Sequence, residues 1–502
     1  MNAENPTLDH GRRLGIWAAL ASLGYVFWVV GGMELVERLA YYGVKTTAPI
    51  YATDAVSDGG LGLTMTQFGH VLLAWALFQS FVPVFFGGLA DRLGYKETIA
   101  LATVFKAFAY LVMAWFPSFW GFLVGAALLA FGTGIFKPGI QGTLVKCSRP
   151  DNSAMAWGVF YQMVNIGGWI GPLLAAQLRI LSWDKLFYCC AAIILLNFIL
   201  LLTYKEPGKE ERLRQPRQQG SLWRDAWREI QQPYLIRYVL VFSGFWFMFM
   251  ALFDVLPVYV RDWVDTTAIV TTLFGDGSPS ALWRGLLAMD PEGTRVLPEG
   301  IMNVNFGLIM LVCFLYAGLA GRLGTVPSLI FGTGLCAMGL LLLGASHLAW
   351  LVVLAVVIFS SGEMLASPTS SKFIGNIAPP DKKAMYLGFK ELPYGIGWVA
   401  ETLVGPRLYD ATGSRETLAR EALAQEHGVG AARLAEIPAG EAFAHLVHLS
   451  GQSEAVVREA LYQANAVGTV WYVMGGVGLV STLGLVVFGR WLKRQGADLN
   501  AA

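Results

Sequence analysis

The chain has 502 residues, of which 55% are hydrophobic and 14% charged, and its formal net charge is +1. A mean hydropathy of +0.53 lies far above the value of a soluble domain, so the composition predicts an all-α protein that crosses a membrane several times. The near-zero net charge also argues against nucleic acid as a partner.

Twelve apolar segments are long enough to span a bilayer. A hydrocarbon core of about 30 Å needs roughly 20 helical residues. The predicted spans are 15–52, 66–90, 97–116, 119–146, 153–178, 184–204, 233–261, 299–321, 326–346, 348–378, 382–408 and 465–489. The first run carries acids and is too long for a cleavable signal peptide, so we expect it to remain as the first span.

A polar linker at 205–232 divides the spans into an N-terminal six-helix bundle over 1–204 and a C-terminal six-helix bundle over 233–502. Basic residues mark one side of the membrane, and the linker lies on that side. The basic residues are Arg12, Arg13, Arg92, Lys96, Lys146, Arg149, Arg322, Lys382, Lys383, Arg490, Lys493 and Arg494. The pattern predicts a multi-pass protein of the cell's inner membrane with both termini in the cytoplasm.

An insertion between the last two spans, at about 409–464, is polar and predicts short amphipathic helices on the outer face. Ser414 is the expected N-cap of a helix that ends at Gly428, and Ser453 that of a helix over 454–463. We expect the insertion to be a small cap or a partner surface. His445 and His448 share a helix face there, which a solvated surface explains better than a metal site.

Ionisable residues inside apolar runs are the candidates for function, because charges at bilayer depth are costly unless they are paired or hydrated. In the first span, Glu34, Glu37, Arg38 and Tyr41 form one stripe at helical spacing. Two acids for one base leave an unbalanced charge, which favours an ion path over an ion pair that only joins helices. Further charges occur in later spans at Lys137, Asp254, Glu363, Lys390 and Glu391.

The two halves also carry a repeat. The loop pattern Gly88-Leu-Ala-Asp-Arg-Leu-Gly94 recurs as Gly318-Leu-Ala-Gly-Arg-Leu-Gly324. It resembles the loop signature of the major facilitator superfamily, whose duplicated halves enclose a substrate site near the midplane. That resemblance implies the twelve-helix fold of this superfamily.

A more selective resemblance concerns the proton-dependent oligopeptide transporters. The first span resembles their signature Glu-x-x-Glu-Arg-Phe-x-Tyr-Tyr-Gly, with Leu39 in place of the phenylalanine. Three later patterns resemble motifs of their fourth, fifth and tenth helices. These patterns are Gly132-Thr-Gly134-x-x-Lys137-Pro138, Phe160-Tyr161-x-x-x-Asn165-x-Gly167, and Glu363 with Pro368.

The resemblance implies a proton-coupled symporter of di- or tripeptides, or of a related amphoteric compound, that acts by alternating access as a monomer in the lipid bilayer. It implies no cofactor besides the coupling proton. The resemblance assigns proton coupling to Glu34, Glu37, Arg38 and Asp254. It assigns substrate binding to Arg38, Tyr41, Tyr42, Lys137, Tyr161, Asn165, Asn305 and Glu363.

Parts of the sequence depart from that family. Phe306 follows Asn305 where a proline is expected, and Lys390 and Glu391 are charges of unassigned role within the eleventh span. Two other functions remain open: a membrane-embedded enzyme, for which we find no catalytic pair or metal motif, and a sensor or scaffold derived from a transporter. The five cysteines have no paired spacing, so neither a disulfide framework nor a zinc site is predicted.

Overall fold

The computed structural model describes residues 16–149, 151–210, 228–379, 386 and 388–495. Most of the polar linker lies outside these residues, and so do Arg12, Arg13, Lys382 and Lys383, on which part of the predicted orientation depends. The side chains of 84–89 and of Asp91, within the loop motif, are also outside the described set.

The described chain is helical, with one isolated bridge between Met289 and Val296. The N-terminal half contains α1 (Ile16–Ala21), α2 (Tyr25–Thr53), α3 (Met65–Leu93), α4 (Tyr95–Trp115), α5 (Phe119–Cys147), α6 (Ser153–Leu181) and α7 (Trp183–Leu202). The C-terminal half begins with α8 (Pro233–Asp254), α9 (Leu256–Trp263), α10 (Thr267–Phe274), α11 (Ala281–Leu286), α12 (Pro298–Leu323), α13 (Thr325–Ala345), α14 (Ala349–Ile377) and α15 (Glu391–Thr412). It ends with α16 (Arg415–Gln425), α17 (Ala431–Glu436), α18 (Ala442–Ser450), α19 (Glu454–Ala464) and α20 (Thr469–Arg494).

Twelve of these helices, within the described residues, have 20 residues or more and match the predicted spans in order. Eight of them are long and apolar enough on their own to cross a membrane: α4, α5, α7, α8, α12, α13, α14 and α20. The remaining four are α2, α3, α6 and α15. All four contribute side chains to the cavity between the halves, so their polar residues face the protein interior and water instead of lipid.

The same helix pairing occurs in both halves. In the first half α4 packs on α5 and α7, α3 on α5, and α2 on α6 and α7. The corresponding helices of the second half pair alike: α13 packs on α14 and α20, α12 on α14, and α8 on α15 and α20. Contacts of α3 with α15 and of α6 with α12 join the halves.

Glycines allow several of these helices to approach closely. A Cβ atom added at Gly332 of α13 would lie 2.6 Å from the carbonyl oxygen of Gly362 in α14, and one added at Gly362 would lie 2.4 Å from that of Gly332. Near the first-span stripe, a Cβ atom at Gly167 of α6 would lie 2.7 Å from the carbonyl oxygen of Leu35. Small residues at such crossings are the usual basis of tight packing between membrane helices.

Two predicted spans are interrupted. The first is divided between α1 and α2, with Gly24 as the N-cap of α2. The seventh breaks at Val255, between α8 and α9. Pro257 explains that break, because proline has no N–H to donate to the carbonyl group of Phe253 one turn earlier. A continuous seventh helix was therefore a wrong expectation.

The insertion forms four helices, α16 to α19, whereas the sequence predicted the bounds of two. Ser414 caps α16 as expected, accepting a hydrogen bond from the Thr417 N–H at 3.4 Å, but the helix ends at Gln425. Ser453 precedes α19 without a side-chain cap bond. The insertion packs on α9, where Trp263 donates to the Gly413 carbonyl at 2.8 Å. We call the end of the bundle that holds the insertion the outer end.

Three contacts join the two halves at the outer end. Arg261 of α9 pairs with Asp54 at 2.7 Å, and Glu299 of α12 pairs with Arg179 of α6. The Asp410 carboxylate of α15 accepts hydrogen bonds from the N–H groups at the start of α3, the closest at 2.5 Å. A carboxylate is stabilised there because a helix N-terminus carries unpaired N–H groups and a positive dipole end.

Candidate functional site

A cavity of about 280 Å³ lies between the halves and is lined by helices of both. Its size is at the lower end of ordinary ligand sites, roughly 300–1,000 Å³. Nine of the residues singled out from the sequence line it: Arg38, Tyr41, Tyr42, Lys137, Tyr161, Asn165, Glu363, Lys390 and Glu391. Glu34, Glu37, Asp254 and Asn305 lie behind its wall.

The first-span stripe forms a buried ion cluster behind this wall. Arg38 Nε lies 2.9 Å from Glu34 Oε1 and 2.5 Å from Glu37 Oε2. Lys106 of α4 pairs with the other oxygen of Glu37, and neither residue of that pair is exposed. The cluster thus contains two acids and two bases, so the predicted excess of negative charge was wrong. Arg38 still reaches the cavity, which connects the cluster to a ligand.

A second buried ion pair joins the halves, and its Lys45 lines the cavity. Lys45 Nζ of α2 lies 2.5 Å from Asp254 Oδ1 of α8. Trp398 of α15 donates to the other Asp254 oxygen at 2.9 Å, and the Lys45 ammonium lies 4.7 Å from the centre of the Trp398 ring. Because its partners belong to different halves, this pair depends on how the halves are arranged.

Gln79 of α3 links the Tyr41 side of the first-span cluster to the other half. Its side-chain oxygen accepts hydrogen bonds from the Tyr41 hydroxyl at 2.9 Å and from Trp75 Nε1 at 3.0 Å. Its amide nitrogen donates to the Tyr394 hydroxyl of α15 at 3.3 Å. The Tyr41 ring in turn lies beneath the Arg38 guanidinium, 5.3 Å from ring centre to Cζ. A polar chain therefore runs from the first-span cluster to the other half.

Two cations that line the cavity, Lys137 and Lys390, are only loosely held. Lys137 Nζ lies 3.7 Å from Glu391 Oε2, and Lys390 Nζ lies 3.8 Å from Glu391 Oε1. All three side chains are between 21% and 37% exposed. At these distances, and in contact with water, each pair contributes about 0–1 kcal/mol. A ligand carboxylate can therefore replace Glu391 at Lys137 at low cost.

Glu363 is an acid that lines the same cavity from the C-terminal half. Asn305 donates to its Oε2 at 2.7 Å and to the Ser360 hydroxyl at 2.9 Å. Within the described residues, Glu363 has no cation within the 4.0 Å of an ion pair. Asn305 is fully buried, so its contact in this structure is with Glu363 and not with the cavity, where a substrate contact was expected.

Aromatic side chains complete the cavity wall. Phe306 packs edge-on against Tyr42 at 4.8 Å between ring centres, across the two halves. Trp246 packs edge-on against Tyr394 at 5.0 Å. The phenylalanine found where the family pattern has a proline thus supplies an apolar surface to the cavity that Arg38 and Glu363 also line. Such surfaces favour a ligand with an apolar middle and charged ends.

A larger cavity of about 540 Å³ lies at the outer end, between α2, α9, α12 and the insertion. Its charged residues compensate one another: Arg261 pairs with Asp54 and Asp262, and Arg415 lies 3.7 Å from Asp262 and from Glu454. This space is therefore part of the contact between the halves and the insertion. The smaller cavity is the stronger candidate for a ligand site, because Glu363 has no paired cation among the described residues.

Sequence reasoning missed four residues of the wall: Lys45, Gln79, Lys106 and Glu401. A signal was present, because each is a polar residue inside an apolar run. Lys45 also extends the first-span stripe by one further turn beyond Tyr41. Glu401 continues the face of α15 that begins with Glu391, Tyr394 and Trp398. Their partners could not be predicted, because pairing depends on which helix faces meet.

Comparisons with known proteins agree with this architecture. A family model described as the Major Facilitator Superfamily matches residues 34–317. Multidrug resistance protein MdtH of Yersinia enterocolitica is 22% identical over 357 residues, which is 70% of this chain and 79% of the relative. MdtH of Yersinia pestis strain Pestoides F is 24% identical over 356 residues, with the same coverage.

Among solved structures, a peptide transporter POT in complex with alafosfalin has a TM-score of 0.66 at 16% identity, covering 96% of this chain and 99% of that one. A POT family transporter in complex with 5-aminolevulinic acid has a TM-score of 0.67 at 15% identity, covering 94% and 98%. The nucleoside transporter NupG has a TM-score of 0.65 at 12% identity, covering 92% and 99%. These likenesses establish the fold. The chain is a multi-pass membrane transporter, not an enzyme, and belongs to the Major Facilitator Superfamily.

Proposed function

We propose that this chain is a proton-coupled symporter that imports di- or tripeptides, or another small amphoteric compound, across the inner membrane by alternating access. The observation that carries the proposal is the charge arrangement of the cavity between the halves. Arg38 and Lys137 line it from the N-terminal half, and Glu363 lines it from the C-terminal half. A ligand with an acid and an amino group can therefore bridge the halves.

The ligand's carboxylate binds Lys137, assisted by Arg38, and its amino group binds Glu363. Tyr41, Tyr42, Tyr161 and Asn165 form the walls between these ends. Binding frees Glu391, which then pairs with Lys390 alone. Asn305 holds the Glu363 carboxylate in position. The ligand thus exchanges one weak cross-half contact for two stronger ones and draws the halves together.

The proton acts on the buried ion clusters. Protonation of Glu34 or Glu37 releases Arg38 from one of its partners and makes it available to the ligand. Protonation of Asp254 weakens its pair with Lys45, which joins the halves. A bias of a few kcal/mol from such events is sufficient to shift the balance between outward- and inward-open states. The outer contacts Asp54–Arg261 and Arg179–Glu299 open in the same cycle.

The ligands named for similar structures support this substrate class. Those structures contain alafosfalin, 5-aminolevulinic acid and a thioalcohol-conjugated peptide. The basic residues outside the described part support an orientation with both termini in the cytoplasm. A monomer suffices for this mechanism, because both sides of the cavity come from one chain.

Uptake by proteoliposomes tests the proposal. Purified protein is reconstituted, an inward proton gradient is imposed, and labelled dipeptides, tripeptides and amino acids are supplied. Accumulation above equilibrium that an uncoupler abolishes supports the proposal. Binding without flux would support a sensor instead. Lys137→Ala is the inactive reference, and Lys390→Ala is the matched control that also removes a cavity lysine.

Export of apolar compounds is a second candidate, because the relatives matched by sequence are named multidrug resistance proteins. The fixed charges of both signs in the cavity favour an amphoteric ligand over an apolar one. The two functions differ in direction. Proton-driven extrusion of a lipophilic cationic dye, without peptide uptake, would favour export.

A further inference from the structure

Glu401 is a buried acid that the proposed cycle does not yet use. It lies on α15, it is 0% exposed, and neither of its carboxyl oxygens has a hydrogen-bond donor among the described residues. An ionised carboxylate buried without a partner costs several kcal/mol. The charge state of Glu401 therefore depends on the groups beside it.

Asp254 of α8 is the acid beside Glu401. Trp398, three residues before Glu401 on the same face of α15, donates to Asp254 at 2.9 Å. Glu401 therefore lies on the face of α15 that packs against α8 at Asp254. Ionised carboxylates only accept hydrogen bonds, so contact between these two groups requires a proton on one of them.

In the part of the chain that the structure describes, the groups packed around the two acids do not supply a second cation. Lys45 of α2 is the cation paired with Asp254. Among the described residues, α3 contributes neutral Trp75, whose ring lies 5.1 Å from the Lys45 ammonium, and α20 contributes Met474. On α15 itself Tyr394 is engaged with Gln79. Two acids and one ammonium leave one negative charge, which one proton cancels.

The space for the Glu401 carboxyl group is built into α15. A Cβ atom added at Gly405, one turn further on, would lie 2.3 Å from Glu401 Oε1 and 2.8 Å from the Met474 methyl carbon. The glycine thus allows the carboxyl group to stay in its position beside α20. A larger residue at 405 would displace it.

We propose that Asp254 and Glu401 form a proton-binding pair, in which the two carboxyl groups share one proton while Lys45 neutralises the charge that remains. The ligand of this site is the proton itself. The site differs from the first-span cluster, which is compensated inside the N-terminal half by Arg38 and Lys106.

The use of this proton in transport rests on the proposed function. Lys45 belongs to the N-terminal half and both acids to the C-terminal half. When the halves separate at this level, the pair loses its cation and takes up a second proton from the open side. When Lys45 returns, that second proton is released. The number of protons bound at the pair thus follows the arrangement of the halves.

Infrared spectroscopy of the purified full-length protein in lipid tests the site without requiring transport. A protonated carboxyl group has a C=O stretching band that a carboxylate lacks. We expect Glu401→Gln to remove part of this band at neutral pH and Lys45→Met to increase it. Glu391→Gln is the matched control, because it removes an acid paired with two lysines and should leave the band unchanged.

An unchanged band in Glu401→Gln overturns the proposal, and so does an unchanged band in Lys45→Met. If Glu401→Gln fails to fold, Gly405→Ala takes its place, since it displaces the carboxyl group without removing it. Loss of the shared hydrogen bond should then move the band to higher frequency. A band at the wild-type position in Gly405→Ala contradicts the proposal.

Proteoliposomes provide the functional part of the test. We expect Glu401→Gln to lower gradient-driven accumulation by about tenfold, in the range of ordinary coupling energies, while exchange without a gradient continues. Wild-type accumulation by the Glu401→Gln variant contradicts the role in coupling. Absence of accumulation in the wild-type protein contradicts the proposed function alone, because the infrared result does not depend on it.

Discussion

The two buried ion clusters of this transporter differ in how their charges are balanced. Glu34, Glu37, Arg38 and Lys106 all lie within the N-terminal half, and their charges cancel. Lys45 and Asp254 lie in different halves, and Glu401 is an additional acid on the face of α15 that contacts Asp254 through Trp398. A cluster inside one half keeps its partners when the halves move, whereas a cluster between halves loses them. The first cluster therefore bears mainly on folding and on the orientation of Arg38, and the second on conformational change.

Removal of Lys106 should give the largest effect on stability. Lys106→Met removes one of the two cations that pair with the buried Glu37 carboxylate. We therefore expect a loss of about 3–5 kcal/mol in the free energy of unfolding. Denaturation in detergent measures it. The double variant Lys106→Met with Glu37→Gln removes the charge mismatch and should recover most of the loss. A double variant as unstable as the single one would show that the charge balance inside this half is not what stabilises it.

Replacement of Lys137 tests the role in ligand binding of a cation that forms only a weak ion pair with the other half. Lys137→Ala should abolish peptide transport and weaken binding by about 1.5–3 kcal/mol, the usual contribution of a hydrogen bond to a charged group. Its stability should change little, because the pair with Glu391 is partly hydrated. Calorimetric binding and a melting curve separate the two quantities. Equal losses in Lys137→Ala and Lys390→Ala would argue against a specific role for Lys137.

Replacement of Glu363 tests how the amino group of the ligand is bound. Glu363→Gln keeps the shape of the side chain and removes its charge, so we expect binding of a dipeptide with a free amino group to weaken about tenfold, as for one charge-assisted hydrogen bond. A dipeptide with a blocked amino group should bind almost as it does to the wild-type protein. If both ligands lose the same affinity, Glu363 does not bind the amino group.

Removal of the ion pair Asp54–Arg261 at the outer end should have the smallest effect of these changes. Both side chains are partly exposed, and such pairs contribute about 0.2–1 kcal/mol. We expect Asp54→Asn to shift the population modestly toward the outward-open state without loss of folding. Spin labels on α2 and α9 measure the distance across the outer end. A distance distribution identical to that of the wild-type protein would mean that the remaining contacts hold this end closed.

The fold and part of the site could be predicted because their signals are local. Apolar length gives the twelve spans, and helical spacing places Glu34, Arg38 and Tyr41 on one face. The break at Val255 also had a local signal in Pro257. The partners were not predictable, since the contacts of Glu37 with Lys106 and of Asp254 with Lys45 depend on how helices far apart in sequence rotate against one another.

Because the seventh span breaks at Val255, we expect its outer part, α9, to move relative to α8 more easily than in a continuous helix. The α9 segment contacts the insertion through Trp263, which donates to the Gly413 carbonyl, and through Asp262, which lies 3.7 Å from Arg415 of α16. It is joined to α8 by a single residue. We expect that residue to act as a hinge, so a rigid binder placed on the insertion should slow transport without touching the cavity.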